Sequence, residues 1–179
     1  MQKSEILRDK TILAVDDEPD VLETLTELLE DGADVVVHTA TGFQEARQLL
    51  YSHNYDIVIL DIMGVRGFEL LDIATHRGFP ALMLTAHALN PEALKKSIEM
   101  GAKAYLPKTC LPDIVPFLED VLQLSYQSVW RKAIDKVLTL FDRQFGSEWK
   151  KSEKEFWSEF EKNLTMDQPA IISQQKRKK

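Results

Sequence analysis

The chain reads as an α/β fold: a five-stranded parallel sheet with helices on both faces, followed by a helical extension. Three observations carry that reading. Short β-branched or apolar runs at 11–15, 34–38, 56–60, 80–84 and 103–107 alternate with amphipathic stretches through the first 124 residues, the pattern of strand–helix–strand units. Two of the runs, DIVIL at 56–60 and PALML at 80–84, are apolar at nearly every position, as strands covered on both faces are. Beyond residue 125 the strand pattern stops and helical spacing takes over.

The first strand, TILAV, precedes an amphipathic stretch at 19–31 whose Pro19 suits the first helical position, where a missing N–H is no loss. Gly32 stands where that helix should stop. The second strand, 34–38, leads to a helix at 42–52, and the third, 56–60, to one at 66–77. After the fourth strand, Asn90 is a good N-cap and Pro91 a good opening residue for a helix at 90–100, which Gly101 terminates. The fifth strand precedes a helix at 113–124. If Asp113 caps it, Pro116 falls in the first turn, where backbone N–H groups lack intrahelical partners. In the extension, Trp130, Ile134, Val137, Phe141 and Phe145 form one apolar stripe, and Trp149, Phe156, Phe160 and Leu164 form another. An unbroken helix would carry its stripe around the axis by about 100° per residue. Gly146-Ser147, a stop followed by a cap, therefore predicts a hairpin.

Strands alternating with helices in this way fit the flavodoxin-like order 2-1-3-4-5, whose ligand crevice opens at the carboxyl ends of strands 1 and 3. Polar residues follow the strands at that edge: Asp16 and Asp17 after TILAV, Asp61 after IVIL, Thr85 after ALML and Lys108 after AYLP. Three carboxylates held together repel unless a cation lies among them. Mg²⁺ takes one or two carboxylates with waters and phosphate oxygens. The set points to phosphoryl transfer at a metal site.

Composition narrows the alternatives. The 179 residues carry a net charge of −7, unevenly placed. Residues 1–124 hold 10 Lys/Arg against 21 Asp/Glu, a balance of −11, while residues 125–179 hold 12 against 8, a balance of +4. The acidic part is a poor match to nucleic-acid phosphates. One cysteine, Cys110, excludes an internal disulfide and fits a reducing compartment. The opening MQKSEILRDK is charged and no apolar run reaches the about 18–20 residues that cross a bilayer, so the expected location is the cytoplasm.

The first 124 residues resemble the receiver domain of bacterial two-component response regulators. The resemblance rests on the acidic pair in VDDEPD, the aspartate in VILDIM, Thr85-Ala86 and Lys108 in AYLPK, with Tyr105 three residues before the lysine. It implies that Asp61 is the phosphoacceptor and that Asp17 and Asp61 hold Mg²⁺ directly. Asp16 would act through bound water, with the Met63 backbone carbonyl as a further ligand. It also implies that Lys108 and Thr85 bind phosphate oxygens, that Ala86 leaves the phosphoryl group a path in, and that Tyr105 is a switch aromatic. The partners implied are a sensor histidine kinase and an unknown downstream protein; no membrane partner is expected, and nucleic acid is disfavoured by the acidic charge. The chemistry implied is confined to the chain's own phosphorylation and dephosphorylation. Two departures stand out: the loop IMGVRG after Asp61 is about two residues shorter than the family's and lacks its proline, and Thr109 replaces a proline after the lysine. A trans Lys108–Thr109 bond follows, because a cis bond before a non-proline residue costs about 2.5–4 kcal/mol.

Other readings stand beside these. Tyr105 reads equally as a core aromatic or a switch. His87, two residues after Thr85, could tune attack of water on the phosphate or simply lie at the surface. Cys110 has no His/Asp arrangement to activate it. The aromatic surface at 125–164 must be covered, by packing within the hairpin or onto the receiver, by a second copy, or by another protein. A homodimer could use residues 90–124 or the extension itself. A receiver-fold scaffold that is never phosphorylated is the alternative function. A DNA-binding regulator is disfavoured, because about 40 residues with no basic reading helix are short for an effector domain. Residues 165–179 read as a disordered basic tail.

Overall fold

The computed structural model describes residues 3–86, 90–146 and 148–165. Five parallel strands, β1 (Thr11–Val15), β2 (Val36–Ala40), β3 (Ile57–Asp61), β4 (Ala81–Thr85) and β5 (Ala104–Pro107), form one sheet in the order β2-β1-β3-β4-β5. Helices α1 (Pro19–Gly32), α2 (Phe43–Ser52), α3 (Gly67–His76), α4 (Pro91–Glu99) and α5 (Ile114–Gln123) connect or follow the strands. The flavodoxin-like sheet expected from the sequence is the observed one.

Alternation along the strands divides the core into two layers. Leu13, Val15, Val58, Leu60, Met83 and Tyr105 join the layer shared with α2, α3 and α4. Ile12, Ala14, Ile57, Ile59, Leu82 and Leu84 join the layer under α1 and α5. β3 and β4 are buried along their whole length, which explains why their sequences read as unbroken apolar runs.

The helix boundaries follow the capping chemistry. Pro19 opens α1 and Pro91 opens α4. The Asn90 side chain accepts hydrogen bonds from the Glu92 N–H (2.8 Å) and the Ala93 N–H (3.2 Å). Gly101, at φ 85°, ends α4 in the left-handed region. Pro116 falls in the first turn of α5, behind a 3₁₀ segment at Lys108–Asp113. The second strand departs from its predicted span of 34–38. Residues 33–34 are taken by the N-terminal segment: Ser4 bridges Ala33, the Asp9 N–H donates to the Asp34 carbonyl, and Lys3 lies 2.8 Å from the Asp34 carboxylate. Pairing with β1 therefore begins only at Val36, opposite Thr11.

The extension is a hairpin of α6 (Tyr126–Phe145) and α7 (Lys154–Thr165), with Gly146 at φ 72° ending α6. Ser147, the proposed second cap, lies outside the described residues, as do His87 and residues 166–179. Trp130 meets Phe160 edge-on at 5.7 Å, and the Arg131 guanidinium donates to the Leu164 carbonyl. The start of α6 thus lies beside the end of α7, so the two helices run antiparallel. Their aromatic stripes merge with the core layer of α2, α3 and α4. The stripes thus pack both within the hairpin and onto the receiver. Among the described residues, no helix is long and apolar enough to cross a membrane.

Candidate phosphoacceptor site

Strand register decides which side chains meet. Val15 faces the α2–α4 layer, so Asp16, the next residue, points toward the α1/α5 layer. Asp61 follows Leu60 on β3 and points to the same side. Both carboxylates are buried. Asp17 is exposed at the rim, yet carboxylate oxygens of Asp16, Asp17 and Asp61 all lie within 4.8 Å of one another. Thr85 ends β4 opposite Pro107 and faces the other layer, where its side chain meets the Tyr105 hydroxyl. Ala86 is exposed at the mouth.

Lys108 binds the acidic groups together. Its Nζ lies 2.7 Å from Asp16 Oδ2, 2.9 Å from Glu18 Oε1 and 3.1 Å from Asp61 Oδ1. Burial alone would lower the lysine's pKa, but Asp16, Glu18 and Asp61 outweigh it and hold the ammonium above its ordinary range. Asp61 moves the other way. Burial first, then the Asp16 charge, push its carboxyl above the usual carboxylate range, and Lys108 only partly offsets them. Glu18 was not singled out as a Lys108 partner in the sequence. The one signal was its place as the third acid in DDE, where the Glu18 N–H donates to Asp16 Oδ1 at 3.0 Å.

The loop after Asp61 achieves its short path through unusual backbone. Gly64 (φ 50°) and Arg66 (φ 58°) are both left-handed, and the Val65 N–H bonds back to the Met63 carbonyl. The Met63 side chain is 74% exposed. A Cβ on Gly64 would fall 2.2 Å from the Asp17 carboxylate, and one on Gly67 would fall 2.0 Å from the Asp61 carbonyl oxygen. Glycine at 64 and 67 is therefore what lets the shortened loop lie against the site. Among the described residues no peptide bond is cis, so Lys108–Thr109 is trans, as expected.

The donor set fits a hard divalent cation. It is all oxygen, and it gathers three carboxylates whose oxygens lie within 4.8 Å of one another. Gly64→Ala should displace the Asp17 carboxylate and leave the core intact. Mg²⁺ affinity by calorimetry is then expected to fall about 10–100-fold, the usual effect of disturbing a ligand's support. An unchanged affinity would mean that Asp17 does not bind the ion.

Carboxylates at the switch point of an open α/β sheet, paired with a largely enclosed lysine, define a class of protein that can carry a phosphoryl group on an aspartate. Residues 12–115 match the response regulator receiver domain, and the chain belongs to that family. It is 34% identical over 109 residues to the response regulator Rre1 of Synechocystis, covering 58% of this chain and 47% of Rre1, and so spans about half of that relative's length. The transcriptional regulatory protein PdtaR of Mycobacterium tuberculosis is 28% identical over 156 residues, covering 76% of this chain and 75% of PdtaR. The receiver domain of NtrX from Brucella abortus superimposes with a TM-score of 0.56 at 30% identity, covering 64% of this chain and 99% of that one.

Proposed function

We propose that this chain is a two-component response regulator that accepts a phosphoryl group on Asp61 from a sensor histidine kinase and signals through protein contacts. The observation that carries this is the buried Asp61 carboxylate, with an oxygen within 4.8 Å of those of Asp16 and Asp17 and 3.1 Å from Lys108. Asp61 Oδ attacks phosphorus, the bond from phosphorus to the donor breaks, and the donor leaves with the electron pair. Asp61 and Asp17 would hold Mg²⁺, with Asp16 acting through water and the Met63 carbonyl as a further oxygen. Held there, the ion would supply charge neutralisation for phosphoryl oxygens. Lys108 must release Glu18 to reach a phosphate oxygen, Thr85 donates to another, and Ala86 leaves the approach open. Tyr105 responds to Thr85.

Acetyl phosphate with Mg²⁺ should add one phosphate to the intact chain, and Asp61→Ala should add none. Labelling that survives the substitution would overturn the assignment. One observation favours a second reading, a scaffold that is never phosphorylated: the Lys108 ammonium is already engaged by Asp16, Glu18 and Asp61. That reading requires wild-type protein to remain unlabelled.

A further inference from the structure

A second group of metal-ligating side chains lies away from the carboxylates. His38 stands in the middle of β2, in register with Leu13, and His53 caps the carboxyl end of α2. Tyr55 comes just ahead of β3, whose far end carries Asp61. At about 3.3 Å per residue, Tyr55 and Asp61 are about 20 Å apart along the strand. The Tyr55 ring is buried, His38 is half-buried and His53 is exposed.

The two imidazoles meet edge to face, with ring centroids 5.1 Å apart and planes at 79°. An imidazole bound through one nitrogen holds its centroid about 3.2 Å from the ion, given a Zn–N bond of about 2.0–2.1 Å. Two such rings on one tetrahedral ion therefore stand about 5.2 Å apart. The pair has the spacing of two ligands to a common ion.

Hydrogen bonds outside the pair decide which nitrogens are offered. Ser52 Oγ donates its proton to the Gln48 carbonyl at 2.8 Å, so it accepts from His53 Nδ1, also at 2.8 Å. His53 Nδ1 therefore carries the hydrogen, and the lone pair sits on Nε2. His38 Nδ1 lies 2.9 Å from the Tyr55 hydroxyl, which engages that nitrogen and leaves Nε2 for a ligand. Metal-binding histidines are oriented in this way, by a group on the nitrogen that does not bind. Arg77 steadies the same turn, its Nη2 lying 3.4 Å from the His53 carbonyl and from Asn54 Oδ1.

We propose that His38 and His53 form a second metal site, for a transition ion of the zinc class, that fastens β2 to the turn between α2 and β3. Nitrogen donors select such an ion over Mg²⁺, which takes oxygen. The two Nε2 atoms supply two corners of a tetrahedron, and water fills the others on the exposed side of His53. Tyr55 is a positioning residue, whose oxygen receives the His38 Nδ1 proton when Nε2 binds. β2 is an edge strand, so the bridge adds restraint where the sheet is paired on one side.

The test uses the full chain with saturating Mg²⁺, which occupies the carboxylates around Asp61, and zinc as the probe. Calorimetry should record one zinc per chain. His38→Ala and His53→Ala should each weaken it by at least about 10-fold, and Tyr55→Phe by about 10-fold. In wild type, nitrogen NMR of the imidazoles should show Nε2 of both His38 and His53 shifting with zinc. Amide exchange should slow in β2 by more than in β4. Zinc affinity that either histidine substitution leaves unchanged would overturn the site. So would a wild-type spectrum in which either Nε2 ignores zinc, a result that holds even where His38→Ala fails to fold. The pair would then be aromatic packing alone. Labelling of Asp61 by acetyl phosphate is independent of every one of these outcomes.

Discussion

Lys108→Ala is expected to destabilise the chain by about 3–5 kcal/mol at neutral pH without metal, the range found when one partner of a buried ion pair is removed. Asp16 is fully buried and Asp61 is 3% exposed, so neither carboxylate can exchange its lost ammonium for bulk water. At about 2–4 °C per kcal/mol for a chain of this length, the melting temperature should fall by about 6–20 °C. The pH dependence identifies the cause. Asp61 already has a folded pKa above its unfolded value, and losing the lysine raises it further. A carboxyl raised in this way favours folding at low pH and loses that contribution as pH rises through the folded pKa. The deficit of the variant should therefore be full at neutral pH and shrink in acid. Lys108 itself, raised in the folded chain, supports wild type below its ordinary titration range and ceases to do so only in strong alkali. Millimolar Mg²⁺ should recover part of the loss by supplying a replacement cation. A deficit that neither acid nor Mg²⁺ reduces would show that Lys108 acts through packing of its stem and not through charge.

The site was legible because its chemistry is local to strand ends. Asp16, Asp61 and Thr85 each terminate an apolar run, and a parallel sheet brings such ends together whatever their distance in sequence. What the sequence left out depends on contacts between segments. Glu18 reaches Lys108 across 90 positions, and nothing in a run of acids marks which one will do so. The second strand began two residues late because the N-terminal segment took its first partners, a competition that β-propensity does not record. The short loop after Asp61 looked like a departure from its family, but the reason it works is the absence of a Cβ at Gly64 and Gly67. The hairpin could be read from its two stripes and Gly146. Its seat on β5 could not, because one indole N–H meeting one carbonyl 28 residues away has no periodic signature.

That seat makes the second large effect. Trp130→Ala should destabilise the chain by about 3–5 kcal/mol, as truncation of a large buried aromatic does. Three losses coincide at this residue. The indole is fully buried, the Ala102 carbonyl loses its donor at 3.1 Å, and Phe160 and Tyr126 lose the ring they pack against at 5.7 and 6.2 Å. Trp130→Phe separates them in part, since it retains an aromatic ring while removing the N–H and some of the indole volume, and should cost less than the alanine change, about 1–3 kcal/mol. The loss should not be spread evenly. β3 and β4 lie far inside the receiver layers and keep their neighbours, whereas α6 and α7 lose their principal anchor. Amide exchange should therefore quicken in the hairpin by far more than in the central strands, the behaviour of a unit that opens on its own. Equal acceleration in the hairpin and in β3 would mean that receiver and extension unfold as one cooperative body, with Trp130 as part of a single core.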